Sequence, residues 1–90
     1  MSQSLTLDGL IDCFDTARNE SYEFVAIRVK MEGFPKDEII VNPYENIEAK
    51  LKYYMETYDQ NLKHRFAQGI SITGYTCVDT IEDIQEDLID

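Results

Sequence analysis

The chain has 90 residues, the size of one domain, and we expect a single domain over residues 1–90. Eighteen Asp and Glu residues against eight Lys and Arg residues give a formal net charge of −10, while 43% of the residues are hydrophobic and 11% aromatic. That apolar fraction excludes a disordered acidic chain. The negative charge repels phosphates and anionic lipids, so it argues against direct binding to nucleic acid or to a membrane surface and leaves positively charged proteins as partners.

The start of the chain and its cysteines indicate a cytoplasmic protein. Residues 1–5 have neither the basic region nor the apolar run of a secretory signal, and no apolar stretch is long enough for a transmembrane helix. Cys13 and Cys77 lie far apart and show neither a metal spacing nor a redox spacing. Their placement favours two reduced, mostly buried thiols over a disulfide.

The first element that the sequence predicts is an amphipathic helix of about three turns, because apolar residues recur there at helical spacing. Ser4 or Thr6 is expected to cap it, since either hydroxyl can accept a hydrogen bond from a free backbone N–H of the first turn. The apolar positions are Leu7, Leu10, Ile11, Phe14 and Ala17.

A β-hairpin is predicted next. Residues Tyr22 to Met31 alternate between two faces, which is typical of a strand, and a second β-branched run covers Glu38 to Val41. The Gly33 to Asp37 segment between them has turn-forming residues, so we expect two antiparallel strands joined by a loop of about five residues.

The segment from Asn42 to Glu45 predicts the start of a second helix. Asn42 is a preferred N-cap residue, Pro43 suits the first helical position, and Glu45 can reach back to the N–H of the cap. The helical stripe expected to pack on the sheet is Ile47, Leu51, Tyr54, Met55 and Tyr58.

The remaining third of the chain predicts a strand and a final helix. Residues 62–66 alternate weakly and are either a strand or a loop, whereas Ile70 to Val78 is a strand in which Gly74 indicates a bulge or a close backbone approach. Thr80 is expected to cap the last helix, with Asp83 at its third position. Its buried edge is predicted to consist of Ile81, Ile84 and Leu88.

These elements define the fold class as α+β. We expect a small two-layer domain with a three- or four-stranded, mostly antiparallel sheet and about three helices, in the order α-β-β-α-β(β)-α. An arrangement with helices on both faces of the sheet is also open.

No motif in the chain indicates catalysis. The only histidine is His64, and glycine-rich phosphate loops and nucleophile motifs are absent from the sequence. Three Cys and His residues, no two of them close together, do not make a zinc site. We therefore predict a protein that is not an enzyme, with no catalytic residues, no metal and no cofactor. A hydrolase with two carboxylates across a cleft is the remaining enzymatic alternative.

Acidic residues are concentrated at the end of the chain. After Arg65 there is no Lys or Arg, and on a helix Glu82, Glu86 and Asp90 form one i, i+4 row with charges about 6 Å apart. One interpretation is a solvated acidic face that keeps the protein soluble. The other is a docking surface for a basic groove, in the manner of a DNA mimic. The acidic residues concerned are Asp79, Glu82, Asp83, Glu86, Asp87 and Asp90.

Aromatic residues are the second indication of an interface. If Tyr54 packs in the core, its neighbour Tyr53 points away from it, and Phe34 lies in a polar turn before Pro35. Exposed Tyr and Phe side chains are frequent anchors of protein interfaces, although Tyr53 could equally lie over a neighbouring element.

Several segments of the chain resemble those of a known group of proteins. The strand from Tyr22 to Val29, the segment from Glu38 to Pro43 leading into a tyrosine-rich helix, and the acidic end are similar to small acidic proteins of Gram-positive phages and prophages, among them anti-CRISPR inhibitors of Cas9-type nucleases. The resemblance covers about residues 22–78 and carries over no site residue. It implies a phage-encoded protein without enzymatic activity that binds a host factor, for which a basic nucleic-acid groove is a suitable target.

The sequence thus predicts an acidic interaction protein, monomeric or homodimeric, whose partner is a host protein with a basic surface. The alternative is a structural or self-associating protein in which the acidic helix is only solvated and the edge of the hairpin mediates assembly.

Overall fold

A computed structural model describes residues 5–89 of the chain. Three helices and a three-stranded antiparallel sheet follow one another in the order α-β-β-α-β-α, so the predicted fold class and element order are confirmed. The elements are α1 (Leu7–Glu20), β1 (Phe24–Met31), β2 (Glu38–Pro43), a 3-10 turn (Tyr44–Asn46), α2 (Ile47–Thr57), β3 (Ile70–Val78) and α3 (Ile81–Leu88).

Helix α1 begins and ends at residues suited to those positions. The Thr6 hydroxyl accepts a hydrogen bond from the Gly9 N–H at 3.1 Å, which confirms one of the two predicted caps, and the other, Ser4, lies outside the described residues. At the other end Ser21 adopts the left-handed conformation (φ 59°), and the Tyr22 N–H bonds the Ala17 carbonyl, so the chain turns directly into β1.

Strand β1 lies in the centre of the sheet, in the strand order β2-β1-β3. Its first residue, Phe24, is paired with Pro43, the last residue of β2, and with Val78, the last residue of β3. Three segments that are distant in sequence therefore meet at one end of the sheet, where the α1–β1 connection, the end of β2 and the β3–α3 connection lie side by side.

A β-bulge in β3 confirms the prediction made from Gly74. Arg28 is paired with Gly74 and Val29 with Ile72, so Thr73 is the extra residue. Gly74 also allows a close approach, because a β-carbon at this position would lie 3.1 Å from Leu88 of α3 and 3.2 Å from Arg28.

Helices cover both faces of the sheet, which decides between the two arrangements that the sequence left open. On one face α1 and α2 pack against Val25, Ile27 and Val29 of β1, with Phe14 and Tyr54 among the largest buried side chains. On the other face α3 packs alone, and the smaller core there consists of Ala26, Val78, Ile84 and Leu88.

The helix start predicted at Asn42 is wrong. Strand β2 continues through Asn42 and Pro43, and the α-helix begins only at Ile47, after the 3-10 turn. Asn42 is paired with Val25, and its buried amide donates to the Val25 carbonyl at 3.2 Å instead of capping a helix. Pairing with the central strand satisfies this segment's backbone and outweighs the local capping preference.

Two side chains expected in the core are exposed. Met55 lies outside the buried stripe of α2, and Ile81 is 56% exposed because it is the first residue of α3, beyond the last paired residues of the sheet. Residues 62–66, left open as a strand or a loop, form only isolated bridges, between Tyr58 and His64 and between Lys63 and Ser71.

Candidate protein-binding surface

Helix α3 forms as the sequence predicted. The Thr80 hydroxyl accepts a hydrogen bond from the Asp83 N–H at 3.2 Å, and Ile84 and Leu88 are buried against the sheet. Glu82 and Asp83 lie in the first turn, where negative charge is favoured by the helix dipole.

The outward side of α3 is acidic. Glu82 and Glu86 are exposed in one i, i+4 row. The second row consists of the half-buried Asp83 and of Asp87, whose carboxylate accepts a hydrogen bond from the Thr76 hydroxyl at 2.8 Å. We call Glu82, Asp83, Glu86 and Asp87 the acidic helix face. Asp90, which was predicted to extend it, lies outside the described residues.

Hydrogen bonds from Arg28 hold the C-terminal end of α3 against the sheet. Its guanidinium donates to the Leu88 carbonyl at 2.9 Å, to the Thr73 carbonyl at 2.7 Å and to the Thr73 hydroxyl at 3.0 Å, and Asp37 lies 3.6 Å away. A cation at a helix C-terminus satisfies a free carbonyl and the negative end of the dipole. Arg28 thus binds the Leu88 carbonyl, Thr73 and Asp37, and it forms no ion pair with the described carboxylates of α3.

Asp79 connects α3 to the end of the sheet where the three strands meet. Its carboxylate accepts a hydrogen bond from the Glu23 N–H at 3.2 Å and so holds the β3–α3 connection against the start of β1. Beside it lies a pocket of about 460 Å³, which we call the end pocket. It is lined by Ser21, Glu23, Phe24, Pro43, Tyr44 and Glu45.

Sequence reasoning did not identify the residues of the end pocket. In the sequence Glu45 suits a helix cap, and Glu23 and Tyr44 belong to no recognisable motif. The strand register that brings residues 21–24 beside residues 43–45 depends on side chains elsewhere in the sheet, so no local pattern could have shown this site.

Tyr53 and Phe34 do not join the acidic helix face. Tyr53 is 47% exposed, as predicted, but it lies on α2, across the sheet from α3, where its ring packs edge-on against Tyr54 with 5.2 Å between centroids. Phe34 is 63% exposed in the loop at the opposite end of the hairpin from Asp79. The structure therefore separates the predicted site into three places.

His64 has a structural environment. Its Nδ1 atom accepts hydrogen bonds from the N–H groups of Phe66 and Ala67, both at 3.1 Å, and its ring packs edge-on against Tyr58. A cavity of about 660 Å³ beside His64 is lined by side chains of both charges. The cations are Lys30 and Lys63, and the anions are Glu32 and Asp59. The Nδ1 atom thus helps to hold the turn after His64.

Burial raises the pKa of several thiol and phenol groups, which are neutral at physiological pH. Desolvation, with a smaller contribution from the neighbouring Cys77 thiol, raises the pKa of Cys13 from 9.0 to about 12. Desolvation, together with the nearby phenols of Tyr53 and Tyr54, raises the pKa of Tyr58 from 10.0 to about 12. Both cysteines are free and half-buried, and they meet where α1 crosses β3.

We expect the free energy of unfolding to fall as the pH rises above about 9. The folded state keeps the protons of Cys13 and Tyr58 up to a pKa of about 12, whereas the unfolded chain releases them near 9.0 and 10.0. The folded state therefore binds more protons in this window, and its stability declines with pH. Urea denaturation at pH 7.5, 9 and 10.5 measures the decline, and Tyr58→Phe should make it shallower. An identical slope in that variant would contradict the assignment to Tyr58.

The described residues contain neither a metal centre nor a membrane span. No three His, Cys, Asp or Glu side chains within residues 5–89 are arranged to hold a metal ion. None of the helices in that range has the length and the apolar character needed to traverse a bilayer.

The surface with the most distinctive chemistry is thus the acidic helix face together with Asp79 and the end pocket. Its carboxylates come from four segments of the chain and lie on one face and one end of the sheet. Comparison of the chain with models of known protein families, with curated proteins and with solved structures found no match.

Proposed function

We propose that this protein is a non-enzymatic interaction protein of the cytoplasm that binds a basic, nucleic-acid-binding surface of another protein. The observation that supports the proposal is the convergence of carboxylates at the acidic helix face, Asp79 and the end pocket, while Arg28, which contacts α3, binds the Leu88 carbonyl instead of these carboxylates. In its sharpest form the proposal is a phage-encoded inhibitor that occupies the nucleic-acid groove of a host enzyme such as a Cas9-type nuclease, in keeping with the resemblance described above.

Physical chemistry favours this use of the surface. Carboxylates about 6 Å apart along a helix have a spacing of the same order as phosphates along a nucleic-acid strand. Such a surface attracts a basic groove at long range and binds it in a strongly salt-dependent way. The helix is fixed at its start by Thr80 and at its end by Arg28, so little conformational entropy is lost when the partner binds.

The test replaces the four acids of the acidic helix face by their amides: Glu82→Gln, Asp83→Asn, Glu86→Gln and Asp87→Asn. We expect the variant to fold, because an amide at position 87 can still accept the Thr76 hydrogen bond. Binding to the partner should fall at least tenfold, since four charge pairs are lost from the contact.

A matched control separates the position of the charges from the net charge. Asp8 and Asp12 on α1, Glu56 on α2 and Glu32 in the hairpin loop are exposed and lie away from the acidic helix face and the end pocket, and their amide variant has the same net charge as the first. Both variants and the wild type are used to recover partners from nuclease-treated host lysate at low and high salt. A salt-sensitive partner that is lost only with the α3 variant supports the proposal, whereas equal recovery by all three proteins contradicts it.

A second candidate function is self-association through β2. The sheet order leaves β2 at an edge, and among the described residues its outer backbone groups have no strand partner, while Val41 is exposed on it. Light scattering at low and high salt distinguishes this function, because a dimer formed by strand pairing would persist or strengthen as salt screens the repulsion between two acidic chains.

A further inference from the structure

The end pocket is formed by the register of the whole sheet. Phe24 lies between Pro43 and Val78, and the Tyr44 N–H bonds the Glu23 carbonyl at 2.9 Å. These backbone pairs fix the two walls of the pocket, one from residues 21–24 and one from residues 43–45. The pocket is therefore held in place by the sheet rather than by a mobile loop.

The chemistry of its lining is apolar in the middle and acidic at the sides. Phe24 and Pro43 are half-buried, and the Tyr44 ring is 45% exposed. Glu23 and Glu45 stand exposed on the two walls, and none of the described residues that line the pocket is a cation.

A positively charged side chain beside the end pocket is already paired with carboxylates. Arg18, in the last turn of α1, contacts the carboxylates of Asp15 at 2.6 Å and Glu48 at 3.6 Å. It shares a smaller neighbouring cavity with Tyr44 and Glu45 but does not line the end pocket. The carboxylates of the end pocket are thus open to a cation from outside.

We propose that the end pocket receives an arginine side chain of the partner protein. The proposal rests on the function proposed above, since the partner's surface is taken to be basic. It extends that function from general charge attraction at α3 to a specific anchor at the end of the sheet.

A guanidinium fits this lining better than an ammonium does. It is flat and weakly hydrated, so it can stack on the Tyr44 ring while its N–H groups reach carboxylates on either side. A lysine would bring a compact, strongly hydrated charge that uses the aromatic surface less well. The chain of an arginine also covers apolar surface, here Phe24 and Pro43.

The experiment titrates the full-length, isotope-labelled protein with the peptide acetyl-Gly-Arg-Gly-amide and follows its backbone amide signals by NMR. Peptides with lysine or with the uncharged analogue citrulline in place of arginine are run in parallel. We expect the arginine peptide to shift the signals of Ser21, Glu23, Tyr44 and Glu45, and to bind about tenfold more tightly than the citrulline peptide because the charge interaction is lost in the latter. Shifts spread evenly over the acidic residues would overturn the proposal.

Two variants test the acidic and the aromatic parts of the pocket lining separately. Glu23→Gln with Glu45→Gln should weaken the arginine peptide about tenfold, whereas Asp12→Asn with Glu56→Gln, the same charge change on α1 and α2, should leave its affinity unchanged. Tyr44→Leu should abolish the preference for arginine over lysine while the carboxylates remain. A preference that survives this change would contradict the stacking arrangement.

The same variants separate this proposal from the function on which it rests. Once a partner sensitive to the α3 amide variant is identified, the Glu23→Gln, Glu45→Gln variant should also bind it more weakly. Full binding by the pocket variant, with loss by the α3 variant, would overturn the arginine pocket and leave the proposed function standing. If no partner is lost with the α3 amide variant in the first place, the proposed function itself is overturned.

Discussion

Replacing Arg28 with methionine is expected to lower the free energy of unfolding by about 2 to 3 kcal/mol and to release the C-terminal end of α3 from the sheet. The guanidinium makes three hydrogen bonds that join Leu88 at the end of α3 to Thr73 in the bulge of β3. Methionine keeps the apolar stem of the side chain and removes the guanidinium, so the loss measures mainly these bonds and not lost packing of the stem. The side chain is partly exposed, which places the loss below the sum for three fully buried charged bonds.

Hydrogen exchange distinguishes local release from global destabilisation. We expect the α3 amides to exchange faster in Arg28→Met by a larger factor than the amides of β1, because the lost bonds lie at one helix end. Asp37→Asn is the matched control, since Asp37 is 3.6 Å from Arg28 and an amide can still accept the Thr73 hydroxyl. If Asp37→Asn destabilises as much as Arg28→Met, the ion pair matters more than the bonds to the carbonyls.

The largest loss of stability is expected for Tyr54→Ala, about 3 to 5 kcal/mol. Tyr54 is 1% exposed, and its ring packs against Phe14 at 5.8 Å and against Tyr58 at 6.0 Å between centroids. Removing it leaves a cavity between α1 and α2 that rigid neighbours cannot fill. Urea denaturation followed by circular dichroism measures the change.

Two further substitutions isolate the cause of that loss. Tyr54→Phe keeps the ring and loses only the long hydrogen-bonding contact with Asn42, at 3.4 Å, so it should cost about 1 kcal/mol or less. Tyr53→Ala removes the neighbouring, half-exposed ring and should also cost little. A large loss for Tyr53→Ala would show that this side chain belongs to the core rather than to the surface.

Substitution of Tyr53 also tests where the binding surface lies. It was predicted as an interface anchor, yet α2 lies on the face of the sheet opposite to α3. A partner that contacts only the acidic helix face and the end pocket leaves Tyr53 free. Unchanged partner binding by Tyr53→Ala, beside loss by the α3 amide variant, is therefore the pattern that the proposed function requires.

Local sequence patterns are sufficient to predict an element where a residue's intrinsic preference agrees with its tertiary surroundings. Thr6 and Thr80 cap the helices that were predicted to follow them, because a capping hydroxyl acts within one turn. The strand β1 is predictable for a similar reason, since successive side chains of any strand point to opposite faces, here Val25, Ile27 and Val29 to the larger core and Ala26 to the smaller one.

The Asn42-Pro43 segment shows where local patterns fail. Its residues suit a helix start, but Asn42 is the partner of Val25 in the sheet and places its amide in the core. The gain from extending an antiparallel ladder, and from the hydrogen bond that the Asn42 Nδ2 group donates to the Val25 carbonyl, comes from residues far away in sequence, which no local rule contains.

The α+β class, the order of the elements and the acidic outward side of α3 follow from the amino-acid sequence, because they depend on periodicity, on caps and on composition. Three features could not be predicted in this way: α3 packs alone on the second face, Arg28 holds its end, and Glu23 and Glu45 line one pocket beside Asp79. The physical reason is the strand register: pairing Phe24 with both Pro43 and Val78 brings distant segments to one end of the sheet, and register depends on the packing of the whole core.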